Sequence, residues 1–172
     1  MEYDSFNQML VDEIKSIIKN AKRKVAININ LNMLYAYWSI GKLIVEEEKK
    51  SKYQPGYGDY IVTKLSKELN AYYGKGFSRS NLFSMKKFYI LFPKVQTLSG
   101  QLSWSHYLQI IQISDSDERN YYISECEQSN WSVRELARQI KALTYHRSLL
   151  LAKQMHPTRF IELLNKKNIK NK

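Results

Sequence analysis

Apolar residues recur along this chain at three- and four-residue steps, the period of amphipathic helices. Phe6, Met9, Leu10, Ile14, Ile17, Ile18 and Ala21 form a first stripe, and Ile27, Leu31, Leu34, Trp38, Gly41 and Val45 a second. Gly41 falls on the apolar side of its stripe, where a missing side chain permits close approach of a neighbouring helix. That approach has to offset about 1 kcal/mol of lost helix propensity. A charged run from Glu46 to Lys52 leads into the break Gln54-Pro55-Gly56-Tyr57-Gly58. The pattern then predicts a helix from about Asp59 to Tyr72 that buries Ile61, Leu65 and Leu69.

Tyr73-Gly74-Lys75-Gly76-Phe77-Ser78-Arg79-Ser80-Asn81-Leu82 is the most informative stretch. Gly74 and Gly76 accept positive φ, so a tight turn costs little there. Ser78 is placed to accept a hydrogen bond from the N–H of Ser80 or Asn81 and so cap a new helix. Helix, glycine turn and capped helix outline a helix-turn-helix, whose second helix enters the DNA major groove. In that second helix, from Arg79 to about Phe92, Leu82, Met85, Tyr89 and Phe92 share one side. Ser80, Phe83, Ser84 and Lys87 share the other, with partner packing the expected role of Phe83. Unpaired N–H groups make a helix start attractive to anions. Lys75, Arg79, Ser80, Asn81, Ser84 and Lys87 are therefore the candidate phosphate and base-edge contacts.

Further helix starts follow. Pro93 closes the capped helix, and Gln101-Leu102-Ser103-Trp104-Ser105-His106-Tyr107 opens another that continues through Leu108, Ile110, Ile111 and Ile113. Ser114-Asp115-Ser116-Asp117-Glu118 begins the next, with acids in its first turn. At Trp131-Ser132-Val133-Arg134-Glu135, Ser132 and Glu135 fit a capping box. Behind it Val133, Leu136, Ile140 and Leu143 are expected to face a core. Arg134, Arg138 and Lys141 line the reverse side with Tyr145, either as a second DNA-facing helix or as a solvated stripe.

Charge sharpens this picture. Lys plus Arg number 27 against 16 Asp plus Glu, a net charge of +11, with a pI near 9.6. Such a field favours polyanions, nucleic acid or an anionic membrane surface. Lys64, Lys67, Lys75, Arg79, Lys86, Lys87 and Lys94 face only Glu68 between Ile61 and Lys94, so more than half of the excess lies around the turn. Lys166 to Lys172 add to it at the other end.

Several chemistries are disfavoured. Cys126 is the one cysteine, which rules out an internal disulfide framework, suits a reducing cytoplasm and, between Glu125 and Glu127, makes a poor thiolate. The start lacks a secretion-signal layout and the longest purely apolar run, Leu149-Leu150-Leu151-Ala152, is too short to span a bilayer, so a cytoplasmic protein with no membrane partner is expected. His106, His146 and His156 lack metal-ligand spacing, and the glycines fit no phosphate loop, so no metal and no cofactor are expected. Trp38, Trp104 and Trp131 read as core anchors, and His106 as a hydrogen-bonded helix-start residue.

Six motifs in order carry a resemblance: Tyr37-Trp38-Ser39-Ile40-Gly41; Leu65-Ser66-Lys67-Glu68-Leu69; Tyr73 to Ser78; Asn81-Leu82 with Met85, Phe88 and Tyr89; Gln101 to Tyr107; and Trp131-Ser132-Val133-Arg134-Glu135-Leu136. Together they resemble the N-terminal domain of the YhcG family of bacterial PD-(D/E)XK nuclease-domain proteins, over roughly Phe6 to Arg147. The resemblance implies an all-helical, helix-turn-helix-like, DNA-binding domain that precedes a nuclease half. That half is expected to be absent here: Glu13-Ile14-Lys15, Glu47-Glu48-Lys49 and Glu48-Lys49-Lys50 match Glu-x-Lys only literally, in helical stretches without the paired strands a Mg²⁺ site needs.

The expected fold is thus all-α, a multi-helix bundle containing a helix-turn-helix-like unit. Residues 1–50 form a long-helix region, 51–150 a helix-turn-helix-like helical bundle packed on it as one domain, and 151–172 a basic C-terminal helix or tail. The expected function is a non-enzymatic DNA-binding, targeting module working with a separate or missing nuclease domain. The alternative is a helical interaction or dimerisation domain, and a homodimer fits either.

Overall fold

The computed structural model describes residues 2–50 and 56–155, with side chains from residue 7 to residue 154. The break at Gln54-Pro55 and the lysine-rich end, Lys166 to Lys172, lie outside the described residues. Among these residues the fold is all-α, a multi-helix bundle of α1 (Glu2–Lys50), α2 (Tyr57–Tyr73), α3 (Arg79–Leu91), α4 (Trp104–Ile110), α5 (Ser116–Ser129), α6 (Val133–Lys141) and α7 (Thr144–Met155). The chain divides into two compact units, Met1–Ile111 and Gln112–Lys172.

In the first unit the two apolar stripes belong to one uninterrupted 49-residue helix. No proline falls within it. Its C-terminal half packs on α3. Gly41 is buried at the crossing, and a Cβ there would run into the Met85 carbonyl, so the glycine sets how closely the helices approach. Trp38 locks the far end of the crossing, its indole N–H donating to the Phe92 carbonyl at 2.7 Å. Leu34, Ile44, Val62, Leu82, Met85 and Phe88 form the centre of the core.

The helix α2 docks differently from the sequence expectation. Val62 and Ser66 are its buried residues, while Ile61, Leu65 and Leu69 are half-buried. The smaller side chains take the closest approach, and Leu65 and Leu69 pack from the flanks. On α3, Phe88 rather than Tyr89 is fully buried, and Tyr89 lies edge-on to Trp38. Aromatic rings fill the rest of the unit: Phe88 meets Trp104 at 5.3 Å and Tyr107 at 4.9 Å between centroids. The α4 helix stops at Ile110, short of the expected Ile113. At its start His106 Nδ1 accepts from the Ser103 N–H at 3.1 Å, the expected helix-start role.

The second unit is built on α5, α6 and α7. Asp115 caps α5, accepting from the Glu118 N–H at 2.8 Å. Arg119, buried, donates to the carbonyls of Ile113 and Ser114 at 2.8 Å each and closes the segment before the helix. Tyr122, Cys126 and Leu136 form the core. Leu143 departs from its expected inward position: it takes φ 53° between α6 and α7 and is exposed. The predicted capping box is half formed. Ser132 accepts from the Glu135 N–H at 3.2 Å, whereas the Glu135 carboxylate accepts from Arg138 and Gln139.

Candidate nucleic-acid interface

The α2–α3 connection starts from its glycine. Gly74 takes φ 77° and its N–H closes the end of α2 on the Asn70 carbonyl. A single 3-10 turn, Lys75–Phe77, follows, and Gly76 keeps negative φ, so one left-handed residue suffices for the bend. Ser78 then caps α3, its hydroxyl accepting from the Asn81 N–H at 3.3 Å. This helix, turn and capped helix form a helix-turn-helix-like unit.

The helix α3 divides into two faces. Leu82, Met85 and Phe88 are buried, whereas Arg79, Ser80 and Lys87 are exposed and Ser84 is half-buried. Lys75 is exposed in the turn. Arg79 is held from two sides, by Asp59 of α2 at 3.2 Å and by the Phe83 ring 5.5 Å from its guanidinium carbon. Phe83 itself packs against the core cluster, as expected of a packing residue. The Ser84 hydroxyl donates to the Ser80 carbonyl at 3.0 Å.

Asn81 is committed to the fold at both ends of its amide. Its Nδ2 donates to the Gly76 carbonyl at 2.6 Å, and its Oδ1 accepts from the Trp104 indole N–H at 2.9 Å. It braces the turn against α4. Lys86, beside the candidate residues, is tied to Glu48 of α1, with Nζ 2.7 Å from Oε1. Neither Asp59 nor Glu48 is linked to its partner by any local spacing, so the sequence pattern gave no signal for these pairs. Tyr72 and Tyr73, 87 % and 70 % exposed, flank the turn and were not among the candidates.

Arg134, Arg138 and Lys141 lie in the second unit, all exposed on α6. Arg138 contacts Glu135 at 2.7 Å, and this hydrogen bond, with that from Gln139, holds the Glu135 carboxyl below the usual carboxylate range. Burial, with Glu125 and Glu127 adding to it, pushes the Cys126 thiol up to about 11. Among the described residues no group of three or more His, Cys, Asp and Glu could hold a metal. All three Glu-x-Lys triplets lie on α1, not on paired strands. No helix among the described residues is long and apolar enough to cross a membrane.

The fold and the capped α3 define the class: an all-helical domain with a helix-turn-helix-like unit. Residues 13–147 match the DUF1016 N-terminal domain, and the chain belongs to that family. Among curated proteins it is similar to "Putative nuclease YhcG" of Escherichia coli (strain K12), with 31% identity over 175 positions that cover 83% of this chain and 47% of the relative. The chain therefore spans about half the length of that relative. No solved structure matches it.

Proposed function

We propose that this domain binds DNA through the open face of α3 and targets a nuclease activity carried elsewhere. The observation that carries the reading is the placement of Arg79, Ser80 and Lys87 on the side of α3 away from Leu82, Met85 and Phe88, with half-buried Ser84 at the edge of that side. Phosphate oxygens suit Lys75, Arg79 and Lys87, and the Ser80 and Ser84 hydroxyls suit phosphate or base edges. Asn81 supports the turn rather than the groove. Arg134, Arg138 and Lys141 form a second basic surface on α6, assigned a backbone-contacting role. The similarity to "Putative nuclease YhcG" supports the nuclease link.

Fluorescence anisotropy with a labelled duplex tests this. Binding should weaken steeply with salt, by about −0.9 in log–log slope per neutralised phosphate. The double variant Arg79→Ala, Lys87→Ala should bind at least about tenfold more weakly at low salt and keep its helical circular dichroism. Unchanged affinity would remove α3 from the interface.

A further inference from the structure

The N-terminal half of α1 carries an apolar face with no cover. Every side chain from residue 7 to residue 26 is exposed, and packing begins near Ile27 and Asn30, beside Gly100. Leu10, Ile14, Ile17, Ile18 and Val25 are nonetheless 47–68 % exposed along one stripe that also includes Ala21. At about 100° per residue, that stripe points roughly 130° away from the Leu34, Trp38, Gly41, Val45 stripe. It is therefore a separate surface, not a loose extension of the core face. An amphipathic helix of this kind draws its stability from packing rather than from propensity.

We infer that this stripe is the seam of an antiparallel pair with a second copy of the chain, centred between Ile17 and Ile18. The apolar order is the first reason, because it reads compatibly from both ends. Ile17 meets Ile18 of the second copy, Ile14 meets Ala21, and Leu10 meets Val25, with Asn7 opposite Asn28 at each end. Polar asparagines within an apolar seam favour one register over its neighbours.

Charge is the second reason. Asp12 and Glu13 precede the centre, while Lys22, Arg23 and Lys24 follow it. An antiparallel pair sets the acidic stretch against the basic one, whereas a parallel pair sets the basic stretch against itself. The edges of the stripe sharpen this. Glu13 and Lys24 flank the same edge, and in an antiparallel pair each edge meets its own copy, so Glu13 faces Lys24 twice by symmetry. On the other edge Lys15 faces Lys22, a repulsion that the Lys15 contact with its own Asp12 at 3.2 Å reduces.

The pairing uses a different helix from the proposed DNA face and does not depend on it. Sedimentation and light scattering of the full chain without DNA should show a dimer at micromolar concentrations. Ile14→Asp with Ile17→Asp, both exposed in one copy, should give a monomer with native tryptophan fluorescence. Charge reversals then fix the orientation. Lys24→Glu places two acids together and should weaken association by about three- to tenfold at low salt, as expected for two symmetric surface pairs. Lys15→Glu should strengthen it by about the same factor, through a new pair with Lys22. A parallel pair requires both signs reversed, since it sets Glu13 beside Lys15 and Lys22 beside Lys24. Reversed signs, a dimer indifferent to the two aspartates, or a monomer at every concentration would overturn the inference.

Discussion

At Gly41 the absence of a side chain decides where α3 sits. A methyl group there meets the Met85 carbonyl, and backbone inside a helix cannot move aside as a flexible side chain can. Gly41→Ala should therefore destabilise the first unit by about 3 kcal/mol or more, despite the better helix propensity of alanine. Thermal or urea unfolding followed by tryptophan fluorescence reads this directly. The need for glycine was legible in the sequence because its position on an apolar stripe is a local property. Cys126 was legible in part: its acidic neighbours point to a poor thiolate, and the fold adds the burial. Its ionisation is raised from 9.0 to about 11, first by burial and then by Glu125 and Glu127. A raised acid favours the folded state below its unfolded value and loses that contribution as pH rises through the folded one. The unfolding free energy of the second unit should fall between pH 9 and 11, and Cys126→Ala should flatten that dependence. The thiol should also react slowly with alkylating reagents near pH 8.

At the scale of elements, periodicity and caps located the helices, but not which residues of each turn inward. Ile61 and Leu65 looked central on α2 because they are large and apolar, yet Val62 and Ser66 lie deepest. Packing selects by fit between helices, which one sequence does not display. The uninterrupted α1 was hidden in the same way, since its two stripes point in different directions along one rod. The turn shows the complementary case. Ser78 was readable as a cap because its partner Asn81 lies three residues on, but the bond from Trp104 to Asn81 spans 23 residues. Asn81→Ala removes the acceptor of the Trp104 indole and the donor to Gly76 at once. A loss of about 1–3 kcal/mol follows, as for other partners left unsatisfied. Unfolding titrations beside Ser78→Ala, with an expected cost near 1 kcal/mol, separate the brace from the cap.

For the whole molecule, net charge is a weaker guide than the placement of charge. The sequence puts seven bases and one acid between Ile61 and Lys94. Folding brings Asp59 to Arg79 and Glu48 to Lys86, so the local excess falls from six to four. If DNA affinity came only from the overall +11, any two positive charges would be equally dispensable. If it comes from the α3 face, they are not. Lys19→Ala with Arg23→Ala removes the same charge from the side of α1 away from the seam, leaving the apolar stripe, its Glu13 and Lys24 edge and α3 unchanged. Paired with Arg79→Ala, Lys87→Ala, it makes a charge-matched comparison in one anisotropy series. The α3 variant should lose about two phosphates' worth of salt dependence, close to 1.8 in log–log slope, while the α1 variant keeps the parent slope. Equal losses in the two variants would mean that the chain attracts DNA as a diffuse polycation and that its capped helix reads nothing.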